Sequence, residues 1–180
     1  SAEIIEFNEI WWFYPALGST EVNKYVIYNY IDNTWSIGSM DRTSWHDAGI
    51  YTYPMGSDST GVSYNQEYGV NAGYGAAMDA SIETGYFSGD ENGDNIVFID
   101  KIIPDTYFDT GTTLKFQMKS KRYPNDSETT KGPYSITNTT NKLNLRTRGR
   151  SFQCKWYTDA VDVSWRLGTW RAQGQADGTR

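Results

Sequence analysis

The fold is decided by residues 142–171, which read KLNLRTRGRSFQCKWYTDAVDVSWRLGTWR. Successive side chains of a β-strand point to opposite faces of the sheet, so odd and even positions belong to different faces. Leu143 and Leu145 place apolar side chains at odd positions, whereas Phe152, Cys154 and Trp156 place them at even positions. The alternation predicts one β-layer with an apolar face and a polar face, with a change of phase between the two segments.

The change of phase falls beside Gly149. One extra residue shifts the phase of a strand, and a glycine at positive φ is a common way to build such a β-bulge. We therefore expect a bulge at Gly149, which returns Gln153 and Lys155 to the face that carries Arg146 and Arg148.

Basic side chains dominate the polar face. The same alternation over residues 161–167 turns Val161 inward and Arg166 outward, and over residues 112–122 it turns Leu114 inward and Lys115 outward. Three roles stay open for such a face: contact with neighbouring subunits, contact with the phosphates of DNA, and simple solvation. The predicted interface or phosphate-contact residues are Lys115, Lys119, Lys121, Lys142, Arg146, Arg148, Arg150, Lys155 and Arg166.

The composition favours sheets and turns over helices. The 180 residues include 14 Tyr, 7 Trp and 17 Gly, and no window shows a sustained helical period. No apolar run approaches the ~18 residues of a membrane span, so we expect no membrane partner. Residues 123–132 are predicted to form a polar loop, and residues 173–180 a tail that is frayed or bound to a neighbour.

Two strands near the start, residues 9–14 and 24–31, are apolar at both odd and even positions. A strand of this kind must be covered on both sides, as in the stacked blades of a β-propeller. We therefore predict an all-β chain, in which propeller-blade-like hairpins precede an antiparallel β-sandwich-like unit. The predicted domains are a partial propeller-like region at residues 1–75 and a sandwich-like domain at residues 76–180.

Charge is distributed unevenly. The net charge is −6, but residues 1–100 hold 15 acidic and 2 basic residues, whereas residues 101–180 hold 7 acidic and 14 basic residues. Such asymmetry is typical of proteins that bind a polyanion or that self-assemble through unlike surfaces.

The sequence offers little for catalysis or metal binding. His46 is the only histidine, and adjacent residues of an extended chain point apart, so residues 44–47 (SWHD) are interpreted as a loop with a hydrogen-bonding histidine rather than as a catalytic triad. Residues 90–94 begin like a calcium loop, but Lys101 occupies the position of its bidentate glutamate. Cys154, the only cysteine, is predicted to be a small buried hydrophobe. We expect no enzyme activity, no cofactor and no metal.

Eight short motifs, in one order along the chain, resemble the C-terminal part of a family from short-tailed bacteriophages. The family comprises head-completion proteins, also called packaged-DNA stabilisation or tail nozzle proteins. The matching residues are 9–15 (EIWWFYP), 25–30 (YVIYNY) with Trp35, 42–47 (RTSWHD), 66–69 (QEYG), 82–85 (IETG), 103–105 (IPD), 148–151 (RGRS) and 165–168 (WRLG).

The resemblance implies a virion structural protein without catalytic activity, located in the tail and assembled in the cytoplasm of a bacterial host. It implies a homo-oligomeric ring under the head–tail connector, in contact with adaptor and other tail proteins, that retains and conducts the packaged DNA. Non-specific contact with that DNA is a further expectation. Most of the propeller expected upstream is absent, so the chain is interpreted as part of a longer tail protein.

The alternative function is carbohydrate binding or glycan hydrolysis. Aromatic-rich β-domains stack sugars, and Glu67 beside Tyr64 and Tyr68, or Glu83 near Tyr86, would supply carboxylates.

Overall fold

Strands form almost all of the regular structure in this chain. The computed structural model describes residues 1–110 and 113–178, with Thr110 described by its backbone alone. Two three-residue 3₁₀ turns, Ile5–Phe7 and Gly73–Gly75, are the helical segments of these ranges, and neither could cross a membrane. The predicted all-β fold class is confirmed. Thr112, where a predicted strand begins, and Thr179 and Arg180 of the predicted tail lie outside the described residues.

The chain divides into two compact units, Ser1–Gly69 and Val70–Arg180. In the first unit, four strands form an antiparallel meander in sequence order: β1 (Ala2–Ile4), β2 (Glu9–Tyr14), β3 (Lys24–Asn29) and β4 (Thr34–Ser39). A three-stranded antiparallel sheet follows: β5 (Ser44–His46), β6 (Met55–Ser57) and β7 (Ser63–Asn65).

The first unit has a small aromatic core on the inner face of the meander. Trp11 and Ile27 are buried there, and the Trp11 ring stacks 4.8 Å from that of Tyr25. Trp45 on β5 covers this face, with its ring 5.0 Å from that of Phe13.

A single carboxylate organises the turn between β6 and β7. Asp58 Oδ1 accepts hydrogen bonds from the Thr60 hydroxyl (2.7 Å), the Thr60 N–H (2.9 Å) and the Val62 N–H (3.0 Å). Its Oδ2 accepts one from the Tyr64 hydroxyl at 2.9 Å. These hydrogen bonds lower the pKa of Asp58 from 3.8 to about 2, and the bond from the Thr60 side chain has the largest effect. Gly61 completes the turn at φ +88°.

Ten strands lie in the described part of the second unit. They are β8 (Ala80–Glu83), β9 (Phe87–Ser88), β10 (Val97–Ile103), β11 (Thr106–Thr110), β12 (Leu114–Lys121), β13 (Thr129–Ile136), β14 (Leu143–Gly149), β15 (Ser151–Thr158), β16 (Ser164–Leu167) and β17 (Arg171–Ala176). One sheet has the order β14-β10-β17, and a larger one the order β13-β12-β15-β8, with β9 also paired to β15. β11 and β16 form a separate ribbon.

The two larger sheets share one core, so the second unit is sandwich-like, as predicted. β12, β14 and β15 supply most of this core, because every second residue along each strand is buried. Trp156 lies at the centre, with its ring 5.0 Å from those of Phe116 and Trp170. The predicted inward residues Leu143, Leu145, Phe152, Cys154 and Trp156 are all buried.

The predicted single layer with a bulge at Gly149 is wrong. β14 and β15 belong to different sheets, and Gly149 is not among the residues at positive φ. The chain crosses between the sheets at Arg150, whose N–H donates to the Lys121 carbonyl at 2.8 Å and whose carbonyl accepts the Gly89 N–H at 2.9 Å. Glycine is needed at position 149 for space, since a Cβ there would lie 2.8 Å from the Lys121 carbonyl oxygen.

Three further expectations about the second unit are wrong. Val161, predicted to face inward, is 50% exposed and lies outside any described strand. The predicted loop at residues 123–132 includes the start of β13, and the predicted tail includes much of β17, which pairs with β10. β13 and β17 are edge strands that lack the regular apolar alternation on which the prediction relied.

Gly149→Ala is expected to destabilise the second unit by about 1–3 kcal/mol, because the methyl group would collide with the backbone of Lys121 at the end of β12. Urea unfolding measures the change. Gly85→Ala is the matched control, since a Cβ at Gly85 meets nothing within 4 Å. Equal effects of the two substitutions would show that close approach does not explain the glycine.

The stability of the β6–β7 turn is expected to fall as the pH drops from about 4 to about 2. Asp58 has a lowered pKa in the fold, so its contribution is complete above the ordinary value of 3.8 and is lost as the pH falls through about 2. Amide-exchange protection in β6 and β7 measures this. Asp58→Asn should weaken protection at neutral pH and remove this acid dependence, whereas Asp32→Asn in the β3–β4 turn should do neither.

Candidate functional site

The outer face of the meander carries two rows of apolar side chains. Strand pairing places Ile10, Tyr28 and Trp35 in one row across β2, β3 and β4, and Trp12, Val26 and Ile37 in the next. Trp11 and Ile27 occupy the intervening positions and are buried, so the two rows point away from the core. We call these six residues the aromatic face.

The aromatic face is ordered but uncovered. Its Trp35 ring lies 4.6 Å from the Tyr28 ring and 6.1 Å from the Trp12 ring. The Tyr28 hydroxyl is fixed by donating to Asn33 Oδ1 at 3.0 Å. Trp35 is nevertheless 63% exposed and Ile37 80% exposed. The described residues cover only the inner face, and cover of the outer face by a further blade stays a prediction.

The nine predicted basic residues do not form one face. Lys115, Lys119, Lys121 and Lys155 lie on the outer side of the larger sheet, and Arg146 and Arg148 on the outer side of the three-stranded sheet. Lys142 precedes β14, Arg150 lies in the crossing between β14 and β15, and Arg166 lies in the ribbon. The predicted single basic face is thus wrong, because β14 and β15 belong to different sheets.

Most of these cations have acidic partners within the second unit. Nζ to carboxylate-oxygen distances are 2.6 Å for Lys115–Asp159 and 3.6 Å for Lys155–Glu83, and Arg166 Nε lies 3.4 Å from Asp109. Arg148 pairs with Asp177. Exposed pairs of this kind contribute only ~0–1 kcal/mol each, so their main effect is to neutralise the surface locally.

Glu128 pairs with the remaining two predicted lysines on the outer side of the larger sheet. Its carboxylate lies 3.6 Å from Lys119 Nζ and 3.5 Å from Lys121 Nζ, and it accepts a hydrogen bond from the Tyr86 hydroxyl at 2.6 Å. Lys121 Nζ also lies 4.8 Å from the centre of the Tyr86 ring. Burial and the hydrogen bond to Glu128 raise the pKa of Tyr86 to about 12. Sequence analysis missed Glu128 because it lies in the predicted loop.

The residues weighed for catalysis have other contacts. Nδ1 of His46 lies 2.7 Å from the Asp47 carbonyl oxygen. The Asp47 carboxylate accepts a hydrogen bond from the Trp45 indole N–H at 2.8 Å. Asp90 Oδ2 accepts the side-chain N–H of Asn95 at 2.9 Å. No cluster of three or more potential metal-ligating His, Cys, Asp or Glu side chains occurs in residues 1–110 and 113–178.

Cys154 is fully buried, as predicted, and burial raises the pKa of its thiol to about 12.

The carboxylates considered for glycan hydrolysis lie in different units, with Glu67 in the first and Glu83 in the second. Burial raises the pKa of Glu67, and the negative charges of Glu9 and Glu6 raise it further. Glu83 is paired with Lys155.

A scan against protein-family models finds no match, and a search of curated proteins finds none either.

Glu128→Gln is expected to lower the pKa of Tyr86 from about 12 part of the way towards the ordinary 10.0, because it removes the charged acceptor while leaving the burial. Titration of the Tyr86 ring carbon by NMR measures this. Glu91→Gln, which changes an exposed carboxylate outside this cluster, should leave the Tyr86 titration unchanged. An unaltered Tyr86 pKa in Glu128→Gln would contradict the described cluster.

Proposed function

We propose that the chain is a structural, non-catalytic protein of the tail of a short-tailed bacteriophage. It acts in the head-completion or nozzle ring beneath the head–tail connector and is assembled in the bacterial cytoplasm. The observation that carries the proposal is the aromatic face, which supports a role in binding other subunits. Ordered apolar patches of this kind on a protein surface are typical of interaction sites.

The topology of the meander supports the same role. Four antiparallel strands in sequence order are the arrangement of a propeller blade, and blades pack face to face. The inner face of the meander is covered by Trp45, so the aromatic face is the side available to a neighbour. A second copy of the chain in a ring is the occupant that we propose.

The different net charges of the two units support contact between unlike surfaces of neighbouring copies. The first unit holds nine acidic and two basic residues, a net of −7, whereas the second unit holds 13 acidic and 14 basic residues, a net of +1. Opposing surfaces of different sign favour head-to-tail contacts, which close into rings when the rotation between copies allows it. The predicted basic residues that remain exposed, such as Arg146, are candidates for the connector side of such contacts.

A second candidate function is carbohydrate binding by the same face. Trp12, Tyr28 and Trp35 offer neighbouring aromatic rings on an open sheet, a surface on which sugar rings can stack.

The chain is expected to associate with rising concentration into rings visible by negative-stain electron microscopy, and Trp35→Ser with Ile37→Ser should abolish this. Both side chains are exposed, so the monomer should stay folded, with an unfolding temperature lowered only slightly by the loss of the ring contacts of Trp35. Sedimentation velocity measures association. Val161→Ser, which removes an exposed apolar side chain in the second unit, is the control and should associate normally.

A chain that remains monomeric would contradict the ring. Saturable binding on a glycan array, lost in the Trp35→Ser and Ile37→Ser variant, would replace the assembly function by carbohydrate binding.

A further inference from the structure

An open cleft of about 430 Å³ lies in the second unit, where residues of β14 meet those of the β12–β13 hairpin. Four basic residues line it: Arg122 after β12, Lys131 on β13, and Arg146 and Arg148 on β14. Phe98, which pairs with Arg148 across β10 and β14, also lines the cleft. Strands of both sheets of the sandwich thus contribute cations to one concave surface.

The positive charge of this cleft is not balanced internally. Arg148 pairs with Asp177, but Arg122, Lys131 and Arg146 form no ion pair with any residue in the described ranges. Asp126 is the one carboxylate among the described lining residues, and it accepts the Tyr123 N–H at 3.2 Å. Three unpaired cations against one carboxylate leave a surplus of two positive charges.

The larger sheet of the same unit shows the opposite pattern. Each of its outer lysines, at positions 115, 119, 121 and 155, lies within 3.6 Å of a carboxylate. Like charges gathered in a cleft repel one another, and such a cleft concentrates the field that attracts an anion. The surplus in the cleft is therefore a local feature rather than a property of the whole surface.

We propose that this cleft binds an oligophosphate, either free or as the backbone of a nucleic acid. Guanidinium groups match phosphate oxygens with paired hydrogen bonds, and Arg122 and Arg146 supply two of them. The hydroxyls of Ser127 and Thr129, also in the lining, can donate to further phosphate oxygens. A ligand with a single carboxylate would neutralise only part of the surplus positive charge, whereas a ligand with successive phosphates would neutralise all of it. The inference does not rest on the proposed function, because its evidence is the lining of the cleft and the cations there without an ion pair.

The test measures binding of the full chain to two probes, sodium tripolyphosphate by calorimetry and fluorescein-labelled dT20 by anisotropy, over a range of NaCl concentrations. The double variant Arg122→Gln with Arg146→Gln should bind at least about tenfold more weakly. For dT20, which is single-stranded, the slope of log affinity against log salt should fall by about 1.4, or ~0.7 for each lost phosphate contact. Both side chains are exposed, so the thermal midpoint should not change.

Arg171→Gln is the matched control, because Arg171 is an exposed arginine on β17, outside the cleft, without an ion pair to any described residue. Its affinity should stay within about twofold of the wild type. Binding of tripolyphosphate alone would assign a free oligophosphate, and binding of both probes would assign a nucleic-acid backbone. The proposal is overturned if neither probe binds saturably, or if Arg171→Gln weakens binding as much as the double variant does. It is also overturned if polyglutamate competes as well as the phosphate probes, which would indicate that the cleft binds an acidic protein segment.

Discussion

The crossing of the chain between two sheets at Arg150 is the constraint on which the second unit depends. Its N–H donates to the Lys121 carbonyl at 2.8 Å, which ties the end of β14 to the end of β12. β14 is an edge strand of one sheet, and β15 is a central strand of the other. Leu145 and Phe152 can share one core only if the inward-facing parity changes at the crossing.

The same crossing determines where the positive charge lies. Basic residues that follow one another in sequence are divided between two outer surfaces, since the outer sides of a sandwich face away from each other. Lys155, beyond the crossing, meets Glu83 on the neighbouring strand. Arg146, before the crossing, lies instead beside Arg122 in a cleft with excess positive charge. Neighbours in sequence therefore have different electrostatic roles.

Local alternation allowed the fold class and much of the core to be predicted, because a two-residue period depends only on adjacent residues. Sheet membership could not be predicted, since it depends on which distant strands pair. Edge strands were missed for a related reason: β17 is exposed at every position and is held through its pairing with β10. The cleft was not predicted, because Arg122 and Lys131 lie at the borders of a segment interpreted as a loop. The other lining residues come from strands that are distant in sequence.

The two candidate binding surfaces depend on different forces, and this separates their roles. In the proposed function, the aromatic face would bind its partner by removing apolar area from water, an interaction that added salt does not weaken. The cleft acts through unpaired charge, which is screened within about 10 Å at 0.1 M salt. Permanent contacts suit the first surface, because its affinity survives changes in ionic conditions. Reversible contacts suit the second, since an anion held mainly by screened charge can exchange as those conditions change. If both proposals hold, one chain would hold its neighbours firmly through its first unit and bind an anion reversibly through its second.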